Sequence, residues 1–203
     1  MKLFCKPGAC SLASHIVLHE IGRPFDIEFV DTDSGRTAGG EEYLTINPKG
    51  YVPTLQLDDG QFLTEGPAIL QFLADGSPTT ELAPVIGSLA RARMLEHLTF
   101  VSSELHKAFA PLFRDGATES EKSAARDAVT GKFDHVEATL ADGRDYLVGG
   151  KMTISDAYLF VVANWANFTG IDLATWPRLA AFVARIAARS STQAAMRAEG
   201  LIQ

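Results

Sequence analysis

The sequence predicts an α/β domain followed by an all-helical domain. From Lys2 to Ala74, strand-like and helix-like stretches alternate. Gly76 to Gly87 carries Pro78 and Pro84 and reads as a linker. Every long stretch after it has apolar residues at helical spacing. The 203 residues suffice for one large domain or two modest ones, each with its own core.

The elements of the first domain follow from local patterns. Lys2–Cys5 is a short strand broken by Pro7-Gly8. Cys10 to Glu20 has Leu12, Ala13, Ile16 and Val17 on one helical face, and Gly22 and Pro24 end it. Phe25 to Val30 alternates Phe25, Ile27 and Phe29, which suits a strand. Two strands joined by a helix pair in parallel with a right-handed crossover. Asp31 to Gly40 is a loop, and a short helix over Glu41–Ile46 stops at Asn47-Pro48. Thr54–Leu57 and Phe62-Leu63 flank Asp58-Asp59-Gly60, a hairpin signal. Glu65–Ala74 is helical, with Pro67 in the first turn, where a missing N–H does no harm. This order is that of a thioredoxin-like domain. The expected boundaries are 1–76 for that domain, 77–86 for the linker and 87–203 for the helical domain. Its helices are expected at Ser88–Phe113, Ser120–Leu140, Ile154–Phe168 and Trp176–Ala188, with a last turn near Ala194.

Composition excludes several function classes. Hydrophobic residues make up 46% and charged residues 21%, ordinary for a globular chain. The net charge of −7 has no basic run to offset it, so nucleic acid is not an expected partner. The apolar patch after Met1 is too short for a signal peptide, and no apolar run reaches the ~20 residues that span a bilayer. A cytoplasmic protein with no membrane partner is expected. Cys5 and Cys10 are the only cysteines, so a disulfide framework is not expected in a reducing compartment. No Cys/His spacing suggests a metal, and no Gly-rich phosphate loop is present.

Three places in the first domain carry chemistry. Cys10 follows a Pro-Gly turn and begins a helix, whose positive end stabilises a thiolate. The alternative is a small cysteine used for packing. Val52-Pro53-Thr54 places a proline at a strand entrance, which is also tolerated for purely structural reasons. Glu65-Gly66 lies where a helix begins. Its N–H groups can hold a carboxylate and the Glu65 side chain an ammonium, or Glu65 simply complements the helix dipole.

Five segments in this order resemble the bacterial beta class of glutathione transferases. They are Lys6-Pro7-Gly8-Ala9-Cys10-Ser11-Leu12-Ala13-Ser14-His15, Asn47-Pro48-Lys49-Gly50-Tyr51-Val52-Pro53, Leu63-Thr64-Glu65-Gly66, Glu104-Leu105-His106-Lys107 and Thr153-Ile154-Ser155-Asp156-Ala157-Tyr158. The resemblance covers nearly the whole chain. It implies that Cys10, with Ser11 as a further catalytic residue, approaches the glutathione sulfur and can form a mixed disulfide with it. It implies a cis Pro53, with Val52 pairing the cysteinyl backbone beside Tyr51, while Glu65 and Gly66 hold the γ-glutamyl end. His106 would face Cys10 from the helical domain. In relatives the positions of Thr99, Ser103 and Glu104, next to Lys107, reach the neighbouring subunit's glutathione, so a homodimer is implied. Thr99, Ser103 and His106 share a face of a regular helix, a polar stripe suited to a wet cleft. An interior histidine is the alternative for His106. Thr153-x-x-Asp156 is a structural capping box.

Three positions depart from the pattern. Cys5 stands where relatives have tyrosine; it is either a resolving thiol for a Cys10–glutathione disulfide or a packed strand residue. Gly35 stands where some relatives carry a lysine for the glycyl carboxylate, leaving Arg36 or Lys6 as substitutes. Thr99 replaces an asparagine. The implied activity is conjugation of glutathione, as co-substrate, to a hydrophobic electrophile, with Cys10-dependent thiol–disulfide exchange and no metal. The competing reading is a low-turnover glutathione or hydrophobic-ligand carrier, or a stress-response protein, on the same fold.

Overall fold

The computed structural model describes residues 1–77 and 81–203. Pro78, placed in the linker by sequence, lies outside the described residues. The chain forms two compact units, Met1–Glu81 with Ala188–Gln203, and Leu82–Ala187.

The first unit is built on a five-stranded mixed sheet of order β3-β2-β1-β4-β5. β1 (Lys2–Cys5) lies parallel to β2 (Asp26–Asp31), with Leu3 opposite Ile27. The crossover helix between them is α1 (Ser11–Ile21), closed by Gly22 in the left-handed region at φ 71°, its N–H donating to Leu18 O. β4 (Thr54–Gln56) runs antiparallel to β1 and to β5 (Phe62–Thr64). The expected hairpin between them closes with Leu57 N donating to Gln61 O at 2.8 Å. β3 (Arg36–Thr37) lies inside the segment expected to be loop. Two residues are too few to show a period of two, so side-chain pattern could not reveal it. α2 (Tyr43–Ile46) and α3 (Gly66–Asp75) complete this part, α3 with proline in its first turn.

The first unit also includes α10 (Ser190–Ala198), which differs from the expected 87–203 boundary. The reason is a pair of polar clamps onto α1. Glu20 accepts from Arg189 Nε at 2.7 Å and from the Ser191 hydroxyl. Glu199, fully buried on its side chain, accepts from Gly8 N at 2.9 Å and pairs with His15 Nδ1 at 2.8 Å. A buried carboxylate needs such partners, and both come from the Cys10 turn and the helix that follows.

In the helical unit, the helix expected over Ser88–Phe113 is three segments: α4 (Leu89–Phe100), a π-helical turn (Val101–Leu105) and α5 (His106–Phe113). Ser88 caps α4, its hydroxyl accepting from Arg91 N. α6 (Glu119–Thr139) opens with a Thr118/Glu121 capping box. The Glu137 carboxylate of α6 accepts from Leu179 N at 2.9 Å, capping α9 (Pro177–Ala187). Between them run α7 (Ile154–Asn164) and the short α8 (Ala166–Thr169). α7 is buried from Ile154 to Ala163, so it forms the centre of this unit. No helix among the described residues is long and apolar enough to cross a membrane.

Asp156 secures the start of α7. Its carboxylate accepts from Thr153 N at 2.7 Å and from Leu147 N at 2.7 Å, all in a buried setting. Asp156→Ala removes a cap and orphans two buried N–H donors, so a loss of about 2–4 kcal/mol is expected. Urea unfolding of the variant against the wild type checks it; a loss below the range of a surface substitution would contradict this role.

Candidate active site

The turn before α1 places Cys10. Ala9 N donates to Lys6 O at 3.0 Å, and Gly8 adopts φ 70°, a conformation that favours glycine. Lys6 N donates to Ser11 Oγ at 3.2 Å, and that hydroxyl reaches back to Lys6 O at 3.3 Å. Cys10 therefore stands at the cap position of α1 with its side chain partly exposed. Its Sγ lies 3.4 Å from Val52 O, to which the thiol donates. Ser11, assigned to catalysis from sequence, is fully buried and engaged with Lys6, which gives it the work of stapling this turn.

The Val52–Pro53 peptide is cis. The loop ahead of it is held by an internal set of hydrogen bonds. Tyr43 OH donates to Tyr51 O at 2.8 Å, and Asn47 Nδ2 donates to the same carbonyl at 2.7 Å. Asn47 Nδ2 also donates to Thr54 Oγ1 at 3.1 Å. Phe4, Val30 and Tyr43 form the apolar cluster beneath, with Ile46 and Val52 packed on it. The Tyr51 side chain itself is exposed.

Glu65 precedes α3 with φ 71°, the one non-glycine residue with positive φ among those described. That backbone is disfavoured for a side chain with a Cβ and marks positions that structure or function over-determines. Gly66 starts the helix, so N–H groups without intrahelical partners lie in the turn that follows Glu65.

Cys5 behaves differently from Cys10. It is 0% exposed, and burial, followed by the nearby Glu199 charge, pushes its thiol up to about 12. A resolving thiol must be reachable and partly ionised. Cys5 has neither property, so the packed-strand alternative fits it. Arg36 is exposed on β3, with Nη1 donating to Gly40 O at 3.0 Å. Lys6 Nζ donates to Thr32 Oγ1 at 2.8 Å at the end of β2.

In the helical unit, His106 begins α5 directly after the π turn. The regular-helix stripe expected for Thr99, Ser103 and His106 is broken there, because a π turn adds a residue to the coil. Ser103 Oγ donates to Thr99 O at 2.9 Å inside it. His106 Nδ1 is 2.9 Å from Tyr158 OH, and its ring meets Trp165 edge-on at 4.9 Å. Phe109 and Phe113 continue this aromatic cluster, both edge-on to Trp165, with Phe113 exposed. Desolvation, and then the Lys107 charge, lowers the imidazole to about 4, so it is neutral at pH 7. Thr99, Ser103, Glu104 and Lys107 are exposed, and Glu104 pairs with Lys132 Nζ at 2.9 Å. Among the described residues, no group of three or more His, Cys, Asp or Glu side chains is arranged to hold a metal ion.

Sequence reasoning missed Glu199, which sits 184 positions from its partner His15. No local pattern signals so distant a pair. The Lys49–Glu65 ion pair was missed for a milder form of the same reason.

The sheet order and the cysteine at the head of its first helix define a thioredoxin-like unit, and the chain continues into an all-helical unit. Residues 8–75 match the family described as glutathione S-transferase, N-terminal domain, and residues 100–190 match its C-terminal domain. The chain is 45% identical to glutathione S-transferase GstA of Escherichia coli O157:H7, over 99% of this chain and all of that one. It resembles the solved bacterial beta class glutathione S-transferase of Sphingomonas chungbukensis at 46% identity and TM-score 0.96, with both chains fully covered. A sphingomonad glutathione S-transferase complexed with glutathione is also 46% identical, at TM-score 0.95 and full coverage of both chains. The chain belongs to the glutathione S-transferase family.

Two outcomes follow from the site. Iodoacetamide added to the native protein is expected to alkylate Cys10 and leave Cys5 unmodified until denaturant is added; mass mapping of native Cys5 adducts would contradict its burial. For His106, the folded value lies below the unfolded one. Its contribution to stability is complete above about pH 6.5 and is lost as pH falls toward about 4. Unfolding free energies measured from pH 4 to 7 should therefore drop more steeply on acidification for the wild type than for His106→Asn.

Proposed function

We propose that the chain conjugates glutathione to hydrophobic electrophiles and that Cys10 adds thiol–disulfide exchange with glutathione. The observation that carries this reading is the Cys10 Sγ at the head of α1, 3.4 Å from the Val52 carbonyl. The solved relative complexed with glutathione supports the tripeptide as co-substrate.

In this reading Val52 offers its backbone to the cysteinyl residue of glutathione, beside Tyr51 and Pro53. Glu65 takes the α-ammonium of the γ-glutamyl group, and the N-terminus of α3 at Gly66 takes its α-carboxylate. Lys6 or Arg36 serves the glycyl carboxylate. The positive end of α1 stabilises a thiolate, which lowers the barrier to attack on an electrophilic carbon. His106 is the helical unit's participant, acting as a neutral imidazole. The exposed Thr99, Ser103, Glu104 and Lys107 are assigned to the glutathione of the neighbouring subunit in a homodimer. The setting is the cytoplasm, and neither nucleic acid nor membrane is involved.

The exchange step is a thiolate displacement. The Cys10 thiolate attacks the glutathionyl sulfur of a mixed disulfide. A new S–S bond forms to Cys10, and the other thiol leaves and takes a proton. A second glutathione thiolate then attacks the Cys10–glutathione disulfide, releasing oxidised glutathione and restoring Cys10. Cys5, buried with its thiol raised to about 12, has no part in this cycle.

Cys10→Ala is expected to abolish mixed-disulfide reduction while sparing part of the turnover of a chloronitroaromatic. Steady-state assays with both substrates check this, and equal loss of both would contradict the division. Absence of both activities in the wild type, with intact glutathione affinity, would favour the carrier reading.

A further inference from the structure

The carboxylate assigned to the γ-glutamyl ammonium already holds an ammonium. Lys49 Nζ lies 2.6 Å from Glu65 Oε1 and 3.1 Å from Thr64 Oγ1. The two side chains are about half exposed, at 49% and 63%, so the pair faces solvent and is open to exchange. Both ends are fixed by backbone. Lys49 N donates to Asn47 Oδ1 at 3.1 Å, and Gly50 turns the chain at φ 72° immediately after. Asn47 is in turn tied to Tyr51 O and Thr54 Oγ1. Glu65 is delivered from the other side by its positive-φ backbone at the head of α3.

We propose that Lys49 is an internal occupant of the ammonium site at Glu65, displaced when the γ-glutamyl α-ammonium binds. The proposal rests on the assignment of Glu65 to that group. Two ammonium groups brought against one exposed carboxylate repel each other, so one must leave. Binding then exchanges one ion pair for another and does not create a new one. The ligand's amino group adds little net affinity, because what Glu65 gains from it is lost from Lys49. Lys49 thus sets how strongly the site distinguishes a γ-glutamyl group from an acyl group of the same shape without nitrogen.

The test is calorimetric titration of wild type, Lys49→Met, Lys49→Arg and the double variant Lys49→Met with Glu65→Gln. The ligands are glutathione and its deamino analogue, in which a glutaryl group replaces γ-glutamyl. Lys49→Met should bind glutathione about two- to five-fold more tightly, the size that a half-exposed ion pair carries, with no gain for the deamino analogue. The ratio of the two affinities should widen by the same factor, and Lys49→Arg should restore the wild-type ratio. An unchanged ratio, an equal gain for both ligands or a weaker hold on glutathione each overturns the proposal; the last would make Lys49 a direct ligand contact. Adding Glu65→Gln to Lys49→Met tests the Glu65 assignment by itself, since no internal ammonium then competes. If the double variant binds glutathione as tightly as Lys49→Met, the Glu65 assignment fails. If it binds glutathione more weakly while Lys49→Met leaves the ratio of affinities fixed, only the exchange fails.

Discussion

Between the Gly8 N–H and the His15 ring sits the Glu199 carboxylate, with no exposed surface on its side chain. Removing a carboxylate from water is costly, and only close hydrogen-bonding partners offset that cost. Gly8 belongs to the turn that carries Cys10, and His15 to the helix that follows it. The position of that turn is therefore tied to residues 188–203 as well as to its own strand. The same carboxylate lies close enough to Cys5 to help keep that thiol protonated. One buried charge thus contributes to two opposite outcomes for two cysteines five positions apart: one presented, the other silenced.

The two units are built from different kinds of residue. The sheet unit carries a partly exposed thiol at the head of α1 and an exposed carboxylate at the head of α3. In the helical unit His106, Phe109 and Phe113 gather around Trp165, with Phe109 and Trp165 buried and Phe113 exposed. The π turn at Val101–Leu105 interrupts the helix just before His106. Such turns are often found at functional sites, since an inserted residue re-aims the side chains that follow it.

Much of the fold was legible in the sequence, and the exceptions have physical reasons. β1, β2, the β4–β5 hairpin and α3 carry punctuation at their ends, such as Asp58-Asp59-Gly60 and Pro67, and the structure places them close to where that punctuation indicates. β3 escaped because a two-residue bridge has no periodicity. The π turn escaped because its sequence, Val-Ser-Ser-Glu-Leu, has ordinary helical composition. α10 was read as one more helical segment; its membership of the first unit depends on Glu20 and Glu199 finding partners far away in sequence. Within the site, Cys10, Val52 and Glu65 stood out through position and resemblance. The burial of Ser11 and Cys5 was not legible, because local sequence does not encode it.

The membership of α10 in the sheet unit bears on how the protein is made. Chains emerge from the ribosome amino end first, and domains commonly fold in that order. Here the sheet is synthesised early, but its final helix follows the entire helical unit. Until residues 188–203 arrive, Glu20, His15 and the Gly8 N–H have none of their partners from α10 and Glu199. Premature termination anywhere in the second half would leave the cysteine turn with only its local bonds among Lys6, Ala9 and Ser11, so the turn is fully seated only in a chain translated through Glu199.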